Sequence, residues 1–471
     1  MVLRIARKEL VEMTRDGRFR VAGGVVLLLL LTALGLGWRR HAHVTAAHET
    51  AIAQEREIWE SQGEKSPHSA AHYGVYAFKP TGRLAFFDPG TEAYTGVTVW
   101  LEAHKQNQFL YRPARDGNTL QRFGELTAAA VLQILLPLLI ILLAFSAFAG
   151  ERESGTLRQV LSLGVRRRDL AVGKALGVAG ALGLLLVPAV LLGAVALTTA
   201  SADADSGGLG RTLLLAAVYL LYLGAFVGVT LAVSARARSA RLALVALLGF
   251  WVFVCLAAPR AATDLAKALY PTPSAQEFAA ALAEEKELGL DGVDYDDFLE
   301  ARKQELLAEH GVDDVEALPF NYSGWRLQVS EEYGNQFFDR HYARLWDQFE
   351  AQDRFRQQLG FAAPLPAVRS VSMSLAASDF AHFRRFAEQA EQYRRNLVAF
   401  LNNDMRDHAG EANFSYRQDD ELWTEAPAFA YDPPDAGWAV SGQSTALAAL
   451  LLWFALAAAW AWTSAVRLEA M

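Results

Sequence analysis

Cysteine is almost absent from this chain: of 471 residues, only Cys255 carries a thiol. No intramolecular disulfide can form, so any domain outside a membrane must be held by packing alone. Motifs for chemistry are missing too. Gly173-Lys174 is followed by Ala175, with no glycine five residues upstream and no Ser or Thr behind it, so it is not a phosphate loop. There is no HExxH zinc pair, no Gly-x-Ser-x-Gly elbow and no carboxylate pair inside an apolar run. An enzyme reading therefore has no residues to stand on, and no catalytic residue is expected. Repeats of fixed short period are absent. So is the pattern of a cleaved leader, because acids precede the first apolar run and Arg39-Arg40 follows it.

What the chain does have is long uncharged apolar runs. Crossing about 30 Å of hydrocarbon takes about 20 residues of helix. Six runs qualify: 21–38, 128–149, 176–199, 213–233, 242–259 and 444–463. The expected fold class is an all-α polytopic membrane protein with six transmembrane helices.

Lys and Arg near the ends of spans set orientation. Arg4, Arg7, Lys8, Arg15, Arg18 and Arg20 precede the first run. Arg152, Arg158, Arg166, Arg167, Arg168 and Lys174 lie between the second and third, and Arg236, Arg238 and Arg241 follow the fourth. Six spans put all three groups, and Arg467 in the tail 464–471, on one side. That side is expected to be the cytoplasm, with both termini inside. The segments 39–125 and 260–442 then face outward as two lobes, the larger one helical. The second carries 33 Asp and Glu against 17 Lys and Arg.

Residues 1–20 read as an interfacial helix, with Leu3, Ala6, Leu10 and Met13 at helical spacing. Segment 39–125 should continue helical to Trp59, break at Gly63 and restart at Ser66-Pro67, with a short strand over 94–100. In 260–442, helices are expected over 275–288, 296–310 and 326–359. A further helix capped by Ser378 should fold back on the last of these after a break at Pro364 and Pro366, as an antiparallel hairpin.

The connection 150–175 between the second and third runs carries the most information. Glu151 and Glu153 lie near its start, Gly155 permits a turn, and Thr156 to Leu163 can form a short helix whose apolar residues are Leu157, Val160 and Leu161. A short helix held between two spans is a rigid lever, although an ordinary positively charged loop would look similar. Glu-x-Glu-x-Gly-Thr-Leu, a Leu-rich helix, a basic run and Gly-Lys before the next span resemble the same connection in ABC-2 type permeases. His68-Ser69-Ala70-Ala71-His72-Tyr73-Gly74, Phe87-Asp88-Pro89-Gly90, Trp100-Leu101-Glu102-Ala103-His104 and Arg122-Phe123-Gly124-Glu125-Leu126-Thr127 resemble a bacterial subgroup of these that contains DUF3526.

That resemblance implies the membrane-spanning subunit of an ABC-type exporter in the bacterial inner membrane. Glu151, Glu153, Gly155, Thr156, Leu157, Val160 and Leu161 would form a coupling helix for a separate ATPase subunit. That partner would bind ATP and Mg; this chain would hold no cofactor. Further expected partners are a second permease subunit, identical or paralogous, membrane lipid and a protein outside the membrane; nucleic acid is not one. The rival expectation is a mechanical transducer, in which ATP hydrolysis works the outer lobes and nothing crosses the membrane.

All ten histidines fall in the two outer segments. His41, His43 and His48 lie on a helical extension of the first span. His68 and His72 are one turn apart, a spacing that lets two imidazoles reach one metal. Histidine avoids membrane spans in any case, so the expectation is that these five hold no metal. Gln133 and Pro137, inside the second run, are expected to serve packing rather than to line a path.

Overall fold

The structure, a computed structural model, describes residues 1–110, 112, 126–199 and 208–468. Arg122 to Glu125, part of the resemblance above, and the last three residues of the tail lie outside the described residues. Among the described residues, six helices are long and apolar enough to cross a membrane: Phe19–Glu60, Ala128–Glu153, Arg167–Thr198, Gly208–Arg236, Ala240–Leu269 and Ser444–Val466. In hydrocarbon a backbone must satisfy its own hydrogen bonds, which is why the uncharged runs fold this way. The first helix continues well past its apolar run because nothing between Arg39 and Glu60 is Gly or Pro.

The N-terminal helix is shorter than the sequence suggests. It covers Val2–Arg15 and stops where Asp16 turns extended. The Asp16 carboxylate accepts the backbone N–H of Arg18 at 2.7 Å, which starts the next helix. Val2–Arg15 packs along the start of the third span. A Cβ on Gly177 would lie 2.5 Å from the Glu9 Cβ, so only glycine admits this approach.

At the opposite end of the bundle, the two expected lobes are one body. A single core takes Trp59, Ala71, Val99 and Leu101 from the first segment and Phe386, Leu397, Leu401 and Trp423 from the second. The Trp59 indole donates to the Trp423 carbonyl at 2.9 Å, and the Trp423 indole donates to the Gly63 carbonyl at 2.9 Å. A small antiparallel sheet sits in this body, with β1 (Val75–Phe78) pairing β2 (Thr98–Glu102) and β2 pairing β3 (Lys105–Gln106). The strand expected over 94–100 starts later, because Glu92–Thr95 winds into a helical turn.

The hairpin is present. Tyr322–Gln358 and Phe380–His408 run antiparallel, with Glu350 meeting Arg384, Asn335 meeting Arg394 and Gly324 meeting Arg406. The cap of the second helix is Asp379, whose side chain accepts the His382 N–H, and not Ser378. Nor do the prolines simply break the chain. Pro364 opens a helix, Pro364–Leu375, as proline does well in a first turn. Leu365, Val368 and Val371 of that helix are fully buried among the fourth, fifth and sixth spans and the start of the second. The hairpin is therefore wedged into the span bundle.

Candidate functional sites at the two ends of the bundle

The second span ends in an elbow fastened to its neighbours. The backbone N–H groups of Phe148 and Ala149 both donate to Ser234 Oγ, at 3.0 and 3.2 Å. The Arg152 guanidinium donates to the carbonyls of Ala237 and Ala235, at 2.6 and 2.7 Å. These are carbonyls at the C-terminal end of the fourth span, which no helical N–H can reach. Lys174, 1% exposed at the start of the third span, bonds Glu9 and Glu151 at 2.7 Å each. Lys8 stands 3.5 Å from the same Glu151 oxygen. One buried ammonium thus joins the N-terminal helix, the elbow and the third span.

Gly155, at φ +76°, reverses the chain into the short helix Thr156–Ser162. Leu157, 1% exposed, packs into the bundle's own core, and Val160 and Leu161 lie half-buried against the same cluster. The expected docking face of Leu157, Val160 and Leu161 is therefore turned inward, and Glu151 is held by Lys174 instead of facing a partner. Glu153, Gly155 and Thr156 are exposed. So are Arg158, Gln159, Ser162 and Leu163, which the sequence reading included in the helix without singling them out, the last 82% exposed.

Gln133 is sealed in a buried polar chain. Its side-chain amide donates to the Tyr219 hydroxyl at 2.9 Å and its backbone carbonyl accepts the Tyr222 hydroxyl at 2.7 Å. Tyr219 meets Ser372 at 3.2 Å, and Ser372 donates to Asp88 at 2.5 Å. Burial pushes the Asp88 carboxyl up. The chain ties both outer segments to the second and fourth spans. Pro137, also buried, begins the straight helix Leu136–Ala144.

The histidines divide into two groups. His41 and His48 line a cavity of about 290 Å³ together with Lys79, Arg211, His382 and Tyr431. The His41 Nε2–H donates to the Gly82 carbonyl at 3.1 Å, and His43 is exposed on another face of the helix. His68 and His72, on the helix Pro67–Tyr73, stand with Nε2 atoms 3.2 Å apart. His104 joins them from the β2–β3 turn, so that one nitrogen from each of the three lies within 4.8 Å of the others. Sequence spacing could not show His104 there. Burial first, then the neighbouring His72 and His104 charges, hold His68 down at about 4. Glu331 accepts from His104 Nδ1 at 2.6 Å. Burial raises this carboxyl, but the His104 hydrogen bond and the Arg394 charge outweigh it and leave it below the usual range.

Comparison with known proteins agrees with this layout. The family model for ABC-2 family transporter proteins matches residues 109–255. The model for the domain of unknown function DUF3526 matches 275–432. The Probable ABC transporter permease protein NosY of Pseudomonas aeruginosa is 34% identical over 145 residues, 28% of this chain and 48% of that protein. The chain thus spans about half the length of the curated relative it matches. Taken with six long apolar helices, these matches make the chain a multi-pass membrane protein, an ABC-2 type permease with a DUF3526 domain between its fifth and sixth spans.

Proposed function

We propose that this permease is the membrane subunit of an ATP-driven exporter, working with a second permease copy or paralogue. A separate ATPase subunit docks on the connection between the second and third spans. The observation that carries the reading is the fastening of that connection. Arg152 caps the fourth span, Glu151 shares Lys174 with the N-terminal helix, and Leu157 is packed into the bundle core. A push on Thr156–Ser162 therefore reaches three spans without slack. The gripping surface is the outward face, Glu153, Arg158, Gln159, Ser162 and Leu163, and it lies on the cytoplasmic side with both termini. The body built from 39–110 and 275–432 lies outside the inner membrane, except for the helix Pro364–Leu375 that reaches in among the spans.

The test is Arg158→Glu with Leu163→Asp, two exposed positions whose change leaves the core intact. Interface residues of this kind are worth about 2 kcal/mol, near thirtyfold in affinity. The ATPase should no longer co-purify, or should hydrolyse ATP without transport, while the permease still inserts and melts as wild type does. Full retention of ATPase and transport would sink the docking surface.

A second reading has one observation behind it. The helix Pro364–Leu375 is buried among the spans yet continuous with the outer hairpin, so rocking spans would move the outer body directly. In that case ATP hydrolysis drives an extracytoplasmic partner and nothing crosses. ATP-dependent uptake into inside-out vesicles, present or absent, separates the two.

A further inference from the structure

We propose that His68, His72 and His104 bind one divalent transition-metal ion of the zinc class, with a fourth coordination position open to solvent or to a further ligand. The geometry comes first. Two Zn–N bonds of about 2.0–2.1 Å at a tetrahedral angle put their nitrogens about 3.3–3.4 Å apart. His68 and His72 hold their Nε2 atoms 3.2 Å apart, close to that span. The His104 ring centroid lies 5.5 Å from that of His68 and 4.8 Å from that of His72.

The second observation is how His104 is held. Its φ is +69°, a backbone conformation uncommon outside glycine, although Asn, Asp and His enter it more readily than other residues. Glu331, 3% exposed and 227 residues away, fixes it there: Oε1 accepts the His104 backbone N–H at 2.7 Å and the ring Nδ1–H at 2.6 Å. The other carboxylate oxygen takes a bond from buried Arg394 at 3.2 Å. Arg394 is fixed in turn by Glu391, by Asn335 and by the Glu102 carbonyl. With Nδ1 committed to a carboxylate, Nε2 of His104 is left as the lone-pair donor. This carboxylate–histidine pairing is how proteins orient and strengthen a metal-binding imidazole.

The donor set selects the ion. Three imidazoles suit zinc, copper or nickel, whereas calcium and magnesium need oxygen ligands. His72 and His104 are both exposed, so the remaining position is reachable from outside. The expectation drawn from sequence, that His68 and His72 hold no metal, rested on histidine avoiding membrane spans, and the sequence spacing showed two ligands. The β2–β3 turn supplies the third.

The test does not involve transport, so its outcome is separate from the exporter reading. Tag-free, full-length permease is stripped with a chelator, loaded with Zn(II), and in parallel runs Cu(II) and Ni(II), then passed through gel filtration and assayed by metal mass spectrometry. One ion per chain is expected, and Co(II) in the same site should show the intense visible bands of four-coordination. His72→Ala should lose the ion. His104→Asn should lose it too while keeping the turn, since Asn tolerates positive φ. Glu331→Gln should weaken affinity about 10- to 100-fold with the ligands intact. His43→Ala should change nothing. The proposal is overturned if none of the three ions is retained, or if the His72→Ala, His104→Asn double variant retains one as wild type does.

Discussion

Each end of this molecule is held by a buried cation, and the two cations are set differently. Lys174, at the end that the proposed topology makes the inner one, joins two carboxylates from distant elements, and Lys8 stands 3.4 and 3.5 Å from the same two. Arg394, at the outer end, spreads its fork over Glu391, Glu331, Asn335 and a backbone carbonyl, with both carboxylates buried. A lysine is a point charge whose place a neighbour can partly take, whereas an arginine fork bridges several acceptors at once. The inner end is thus braced with a spare at both carboxylates; at the outer end Arg395 backs Glu391, but Glu331 has only His104 besides the Arg394 fork.

The comparison presumes that the two ends face opposite compartments, and that is the first thing to break. In a Cys255→Ala background, a cysteine at Arg167 should be labelled only from the cytoplasm and one at Glu284 only from outside. Glu284 is preferred to Glu285, which is tied to His341 and Arg340. Labelling of both from one side would end the six-span topology.

The next test ranks the cations. Arg394→Met removes the fork that joins Glu331, Glu391 and Asn335, leaving Glu391 to Arg395 and Glu331 to His104, and breaking buried pairs of this kind costs up to about 3–5 kcal/mol. Lys174→Met should cost less, about 1–3 kcal/mol, because Lys8 remains beside both carboxylates. Thermal melts with segment-resolved hydrogen exchange would show the loss at 67–106 and 322–408 for Arg394→Met, and at the N-terminal helix for Lys174→Met. Equal losses would remove the distinction between a spared and an unspared brace.

The smallest effect is in pH. His68 titrates at about 4 in the fold against 6.5 when free, so the unfolded chain binds more protons between those values. Its contribution is whole above pH 6.5 and falls away as pH drops toward 4. His72 acts in the same sense, and Glu331, depressed below 4.5, adds a loss lower down. Acidifying from pH 7.5 to 5 should lower hydrogen-exchange protection in the outer body, measured as the rate relative to the intrinsic amide rate at each pH. The inner end has no histidine and should keep its protection; a matching change there would contradict the assignment.

The sequence reveals most where the signal is local. Uncharged runs mark all six spans, and the helix expected over 275–288 forms as Ala275–Leu288, where the structure shows Ser274 and Glu277 closing a capping box. His68 and His72 are legible as a pair because one helical turn separates them. His104 is not, since its place depends on a hairpin register and on a carboxylate from a distant helix. The inward burial of Leu157 was not legible, for a simple reason. An apolar stripe on a seven-residue helix is stabilised equally by a partner or by the chain's own bundle, and its residues cannot say which. The fusion of the outer segments was hidden too, because Trp59 and Trp423 meet across 364 residues of chain.

That shared core bears on how this architecture could be cut and recombined. The 275–432 region is a unit by family resemblance, yet half of the buried residues in the core that holds Phe386, Leu401 and Trp423 come from 59–103. Excised alone, it would present bare tryptophan and phenylalanine to water and aggregate. Grafted between the fifth and sixth spans of another permease, it would need the matching first segment to travel with it. The transferable module is discontinuous: two pieces of chain, far apart in the gene, that must be inherited together.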